Sequence, residues 1–477
     1  MHRAFALLAA LAVLPAGCAT NPATGQRQLS LISENQEIQM GLEADPSVVS
    51  SMGLDPDSGR QRYVRELGMR LARVSERPNL PWTFRVIDDP VVNAFAIPGG
   101  HIYVTRGILA HLNSEAELAS VIGHEIGHVT ARHSVTQMSQ QQLMQLGLVV
   151  GVALKPGLAK YAGVASQGMQ LLFLKYSRDD ESQADQLGLR YMRRGGYDVH
   201  QMPDVFALLD RVSQASGGGR VPDWLSTHPN PGNRAGAIER SIAALPADSL
   251  GTVVNHDAYL RQIDGVVFGE NPRDGFFRGT EFLHPELRFR LTFPQGWTTQ
   301  NQRQAVVGVS AQQDAIEQMS LSDQATPDAA AQKFFSQQGV RGSPQRGTIH
   351  GFAAAGGGFS ALTQDSTVLT GKAVFVSYDG RVYQLLAYAP QARWSTYAAA
   401  ADQSFSSFDR LSDPTILAVQ PWHVQVVNLT RVMSLDEFVQ RYTGPAPAAT
   451  TALVNNIDTN GRLGTGLVKR IVGQPLP

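Results

Sequence analysis

The chain has 477 residues, enough for about three domains. Hydrophobic residues make up 43% of it and charged residues 17%, which excludes a disordered chain. The formal charge is -1 and no long basic run occurs, which excludes nucleic acid as a partner.

The chain opens "MHRAFALLAALAVLPAGCAT". Arg3 supplies a short positive region, and Ala4 to Leu14 is an apolar core too short to span a bilayer. The single cysteine, Cys18, follows Ala16-Gly17. This stretch resembles a bacterial lipoprotein signal. The resemblance implies a signal peptide over residues 1–18, a lipidated Cys18 as membrane anchor, and sorting to the outer membrane through Ala19. No other thiol remains for a disulfide, so stability must come from packed cores. Asn21 to Ser30 is polar and turn-rich, and residues 19–30 read as a tether.

Residues 31–270 read as one domain, mostly helical, with a small sheet near residues 83 to 105. In "FAIPGGHIYVT" a Pro-Gly-Gly break precedes an alternating run, Ile102 and Val104, that reads as a strand. An exposed edge on that strand can pair with extended substrate backbone. A hairpin buried in the core fits the same residues.

The run "SEAELASVIGHEIGHVTARHS" reads as a helix. Ser114 and Glu117 form a capping-box pair, and Leu118, Val121, Ile122, Ile126 and Val129 recur at helical spacing. His124 and His128 then lie one turn apart on one face, where two imidazoles can converge on a tetrahedral zinc ion. Glu125 is rotated by about 100° and can act on water as a general base without ligating the metal. His133 lies about 140° round the helix from His128, so it points away. Ser134 stands where a longer H-E-x-x-H-x-x-G-x-x-H pattern needs its third histidine.

Leu143 to Leu174 is broadly apolar but broken at Lys155-Pro156-Gly157, so neither half reaches a membrane span. It reads as helices that line or cover the active cleft. Next comes "SRDDESQADQLG", with Asp179, Asp180, Glu181 and Asp185. Glu181 and Asp185 share a helix face at i, i+4. One of the two can ligate the metal while the other accepts a hydrogen bond from a ligating imidazole. Ala184 and Gly188 form a small-residue stripe that can approach Gly123 and Gly127 of the histidine helix. Ser216 to Arg220 reads as a flexible loop ahead of "STHPNPGNR", a proline-locked loop that carries His228 and leads to Arg234.

Four stretches in this order resemble the HExxH metallopeptidases of the M48 type: Asn93 to Leu109, "HEIGH", "SRDDESQAD" and Ser226 to Arg234. The family includes the CAAX prenyl proteases, the HtpX-like enzymes and soluble periplasmic relatives. The resemblance implies one zinc held by His124, His128 and Glu181, with Glu125 as general base and Asp185 as the partner of a ligating histidine. It also implies His228 as a group that stabilises the oxyanion, with Arg234 nearby as a second donor. The same imidazole can instead occupy the fourth zinc position and shut the site.

After Gly269 the pattern changes. Leu287 to Phe293 alternates as a half-buried strand does. Thr326 to Gly339 reads as a helix capped by Thr326, opened by Pro327 and closed by Gly339. Lys372 to Tyr388 reads as a hairpin over Asp379-Gly380. Residues 275–410 thus read as an α+β accessory domain for binding or positioning. Residues 421–477 read as strand, helix, helix, strand, and loosely resemble the LysM fold, which implies possible contact with cell-wall glycans.

The whole therefore reads as α+β: a zincin peptidase domain, an accessory domain and a small β-α-α-β module. The expected activity is that of a zinc endopeptidase of the bacterial envelope, cleaving extended or misassembled envelope proteins. The alternative is a chaperone-like assembly factor for which client binding is the main role.

Overall fold

A computed structural model describes residues 18–145, 176–215, 228, 233–363 and 367–476. The signal segment before Cys18, most of the apolar run Leu143 to Leu174, the loop Ser216 to Arg220 and most of the loop around His228 lie outside these residues. Among the described residues, no helix is long and apolar enough to cross a membrane. The fold is α+β and divides into two units. One comprises residues up to Glu270 together with Trp422–Gly473, and the other comprises Asn271–Pro421 and the last few residues.

The first unit begins with a short hairpin, β1 (Cys18–Thr20) and β2 (Arg27–Leu29). The expected tether is a correction here. Asn21 and Ala23 are buried, so this stretch is docked on the unit and not a free spacer. Helices α1 (Glu34–Met52) and α2 (Ser58–Arg73) follow, capped by Ser33 and Asp57. A mixed three-stranded sheet comes next, in the order β3 (Thr83–Ile87), β5 (His101–Thr105), β4 (Ala94–Ile97). The turn between β4 and β5 needs its two glycines, because Gly99 and Gly100 have φ of 86° and 97°, where a side chain is strained. Of the two readings of Ile102 and Val104, the buried one holds and the exposed edge does not. β5 pairs parallel with β3 and antiparallel with β4, and every residue in it is buried. Among the described residues, the edge left unpaired on that side belongs to β4.

Helix α3 (Arg106–His111) leads into α4 (Glu115–Thr130), the helix that carries His124 and His128. Ser114 caps α4 by accepting from the Glu117 amide, at 3.1 Å. Glu117 reaches back one residue further than a capping box requires and accepts from the Asn113 amide. All sixteen residues of α4 are buried, so it forms the centre of the unit. It stops because Arg132 takes a left-handed φ of 58°, and α5 (His133–Gln145) starts in a new direction. Helix α6 (Arg178–Arg194) lies against α4, followed by α7 (Gln201–Ala215), α8 (Arg234–Ala243), α9 (His256–Ile263) and a two-residue strand, β6 (Val267–Phe268). Val64, Leu67 and Leu71 of α2, Leu118, Ile122 and Ile126 of α4, and Leu187 and Tyr191 of α6 fill the core between them.

In the second unit, a large antiparallel sheet runs from Thr298 to Pro390, beside a four-stranded sheet built around Phe289–Thr292. That strand alternates buried and exposed, as its pattern requires. The hairpin Val368–Tyr378 with Arg381–Pro390 turns at Asp379-Gly380, both with positive φ. The helix capped by Thr326 ends at Phe335, before Gly339. Phe282, Phe289, Tyr383 and Phe408 centre the core.

The closing stretch has the order β7 (Trp422–Leu429), α10 (Leu435–Arg441), α11 (Ala448–Val454), β8 (Gly466–Val472). It packs within the first unit and is not a body of its own. β7 pairs with β8 and with β6, and Val424, Val454 and Ile471 join the core of α2, α4 and α6. Lys469 on β8 is fully buried, and its ammonium donates to the carbonyls of Ala110, His111 and Leu112 at 3.0, 3.1 and 2.7 Å. A cation on the final carbonyls of α3 suits the negative end of that helix.

Candidate metal centre

The centre depends on how closely α4 and α6 approach. A Cβ on Gly127 would lie 2.9 Å from the Ala184 carbonyl oxygen, and one on Gly188 would lie 3.0 Å from the His124 amide nitrogen. Both contacts are closer than a methyl group tolerates, so glycine is what lets the helices meet here. The acidic face of α6 then comes against the histidine face of α4.

His124, His128, Glu181 and His228 each offer one donor atom, and these atoms lie within 4.8 Å of one another. All four residues are buried. Among the described residues no second group of this kind occurs. The Nε2 atoms of His124 and His128 are 2.9 Å apart, and Glu181 carboxylate oxygens lie 3.6 and 3.4 Å from them. His124 Nδ1 donates to Asp185 Oδ1 at 2.9 Å, which leaves the Nε2 lone pair facing the cluster. Of the two acidic residues at i, i+4, Glu181 faces the histidines and Asp185 stands behind one of them.

Arg234, at the start of α8, is committed to both acids. Its Nε and Nη2 donate to Asp185 at 2.9 and 2.5 Å, and its Nη1 lies 3.1 Å from Glu181. The guanidinium also sits over the Phe206 ring, 4.6 Å from its centroid. The guanidinium is thus placed against both carboxylates. Burial opposes the charge on Asp185, but Arg234 and His124 outweigh it and hold the carboxyl below its ordinary value. Burial likewise opposes charge on Glu181, and His228, His128 and His124 overcome it, so this carboxyl also stays ionised. Burial holds His128 well below its ordinary value and therefore neutral, as a ligand must be.

His228 lies inside the cluster. Its Nδ1 is 2.9 Å from Glu181 and 3.4 Å from His124 Nε2, and its Nε2 is 3.6 Å from Glu125. Glu125 is fully buried, and among the described residues neither of its oxygens receives a hydrogen bond. A buried carboxylate with no donor costs several kcal/mol, of order 1–3 per unmet acceptor and more when charged. Such a cost is expected where a group is kept ready for a reacting proton. Burial pushes the Glu125 carboxyl above its ordinary value, His228 and His124 pull it down, and Glu181 adds to the rise. Two imidazoles whose Nε2 atoms meet, an ionised carboxylate and a second buried carboxylate alongside make a donor set that fits zinc.

Two residues at the site were not expected from the sequence. His133 does not point away. Its Nδ1 is 2.9 Å from His128 Nδ1, because the break at Arg132 turns α5 back toward the site. The projection along one continuous helix fails there, and a non-glycine residue at positive φ leaves no trace in the apolar pattern. Tyr176 stacks on the His128 ring, with centroids 3.9 Å apart, and its hydroxyl pairs with Ser134.

Comparison with known proteins agrees with this geometry. Residues 58–242 match the family model described as "Peptidase family M48". The chain is 32% identical over 225 residues to the "Beta-barrel assembly-enhancing protease" of Escherichia coli (strain K12), covering 45% of each chain. It is 35% identical over 181 residues to the "Putative beta-barrel assembly-enhancing protease" of Vibrio cholerae, covering 36% of this chain and 37% of that one. It is 37% identical over 160 residues to the "Mitochondrial metalloendopeptidase OMA1" of Arabidopsis thaliana, covering 33% and 31%. The chain spans less than half the length of these curated relatives. The match and the centre fall on the same helices, and the chain carries a metallopeptidase domain of the M48 type.

Proposed function

We propose that this chain is a zinc-dependent endopeptidase of the bacterial cell envelope, acting on extended or misassembled envelope polypeptides. The observation that carries the reading is Glu125, a buried carboxylate that receives no hydrogen bond among the described residues, beside a four-residue donor cluster. His124 Nε2, His128 Nε2 and Glu181 would hold the ion. Bound zinc supplies a Lewis acid that acidifies water and polarises a peptide carbonyl. Glu125 takes the proton of the attacking water and passes it to the departing amide nitrogen, and its raised pKa suits both transfers. Asp185 and Arg234 keep His124 and Glu181 oriented while charge builds up. The outer edge of β4, which packs beside α4 and has no strand partner among the described residues, is where extended backbone can add as a further strand.

The envelope setting rests on the signal-like start with Cys18 and on relatives named for β-barrel assembly. Under this reading Cys18 carries a lipid and the protein works in the periplasm at the outer membrane. Glycan contact by the closing β-α-α-β stretch belongs to the same proposal. His228 supports the plug in preference to the oxyanion role. Its imidazole lies among the ligand atoms, 2.9 Å from Glu181, where a fourth ligand belongs.

Metal analysis tests the reading. Purified protein is expected to hold about one zinc per chain, and Glu181→Ala and His124→Ala to lose it. Full zinc in Glu181→Ala would overturn the ligand set. Asp180 is a poor substitute, since its carboxylate caps α6 through Ser177.

A further inference from the structure

The N-terminal stretch "NPATG" lies behind the metal centre, and the proposed function gives it no task. Asn21 is 4% exposed. Its Oδ1 accepts from the backbone amides of Ala23 and Thr24, at 2.9 and 3.2 Å. This closed turn decides which way the side-chain amide faces, because Oδ1 is held by two donors. The Nδ2 group therefore points outward. It donates to Gln28 Oε1 at 2.9 Å, to the Ala131 carbonyl at 3.2 Å and to Gln183 Oε1 at 3.2 Å.

Each next step follows from donor and acceptor matching. An amide donor from Asn21 requires an oxygen on Gln183, so Oε1 faces it. The same Oε1 lies 2.9 Å from His133 Nε2, so that nitrogen carries the hydrogen and donates. Asp180 Oδ1, 3.6 Å from the same nitrogen, favours a hydrogen there as well. A neutral imidazole with its hydrogen on Nε2 presents Nδ1 as an acceptor. His128 Nδ1, 2.9 Å away, must donate to it. The lone pair of His128 is left on Nε2, the nitrogen that faces His124 and Glu181.

We propose that Asn21, through Gln183 and His133, fixes the tautomer of His128 and so makes the docked N-terminal turn a positioning element of the metal site. Asn21, Gln183 and His133 are positioning residues and touch neither metal nor substrate. In this arrangement the segment that follows Cys18 is coupled to the metal site. The inference rests on the metallopeptidase reading.

The test is zinc affinity of the full chain, measured by competition with a chromophoric chelator, with thermal melting as a check on folding. Asn21→Asp keeps the oxygen that closes the turn and replaces the outward amide with a second acceptor. Gln183 must then present its nitrogen, and the order of donors reverses through His133 to His128. The variant is expected to melt somewhat below wild type, because an acceptor then faces the Ala131 carbonyl, and in its folded form to bind zinc about tenfold more weakly. His133→Phe is expected to lose about 10- to 100-fold, as second-layer partners of ligating histidines do. Because the residues act in series, the double variant should fall no further than His133→Phe alone. Should Asn21→Asp fail to fold, Gln183→Leu carries the test, with the same expected loss. Wild-type zinc affinity in a folded Asn21→Asp or Gln183→Leu overturns the inference, as does a double variant whose losses multiply. A wild-type chain that binds no zinc overturns the metallopeptidase reading, which is a different result.

Discussion

Two carboxylates one turn apart on α6 receive opposite tasks from their neighbours. Glu181 faces three imidazoles and stays ionised. Asp185 is held by Arg234 and takes the Nδ1 hydrogen of His124. His228 lies among the donor atoms, and its role has two readings. If it occupies the fourth position, His228→Ala at matched zinc occupancy should keep or raise peptidase turnover. A fall of about 10²- to 10³-fold would instead mark it as an oxyanion donor. The spacing of His124, Glu125 and His128 is read from sequence with little loss, since a helix fixes those directions. The choice between Glu181 and Asp185 could not be made from their own spacing. It depends on Arg234, 49 residues away. His133 was misread because one left-handed residue, Arg132, redirects the chain.

Among elements, the crossing of α4 and α6 decides the site. Gly127→Ala puts a methyl group within 2.9 Å of the Ala184 carbonyl, in a region where both partners are backbone. The helices must separate, at a cost of about 1–3 kcal/mol, and Glu181 moves with α6. The expected outcome is a lower melting temperature together with weaker zinc binding. Gly464→Ala, which meets nothing within 4 Å, is the control and should change neither. Unaltered zinc affinity in Gly127→Ala would show that the crossing has slack. Caps and hairpin turns were legible because their chemistry is local, as at Ser114, Thr326 and Asp379-Gly380. Pairing partners were not. β5 reads as a strand from its own residues, but its central place depends on β3 and β4.

For the whole molecule, the chain leaves the first unit at Glu270 and returns at Trp422. That return was hidden in the sequence because Lys469 reads as an ordinary surface lysine until the carbonyls of α3 are placed around it. The second unit contains a buried acid of its own. Burial pushes Glu317 up to about 8, against a hydrogen bond from Ser404. A carboxyl raised from about 4.5 gives stability that is fully present below that pH and is lost as pH rises through about 8. The loss approaches about 5 kcal/mol, at 1.36 kcal/mol per pKa unit. Glu317→Gln should therefore melt higher than wild type at pH 8 and much like it at pH 4. Equal melting at both pH values would contradict the assignment.

In the proposed mechanism, hydrolysis depends on Glu125 as a carboxylate kept for proton transfer. The deciding measurement is hydrolysis of an unfolded polypeptide by wild type and by Glu125→Gln, each loaded with one zinc per chain. The account predicts that Glu125→Gln keeps its fold and zinc and loses turnover by several orders of magnitude, roughly the 10²–10⁴ of a lost general base or more. Cleavage by zinc-loaded Glu125→Gln near the wild-type rate would contradict it.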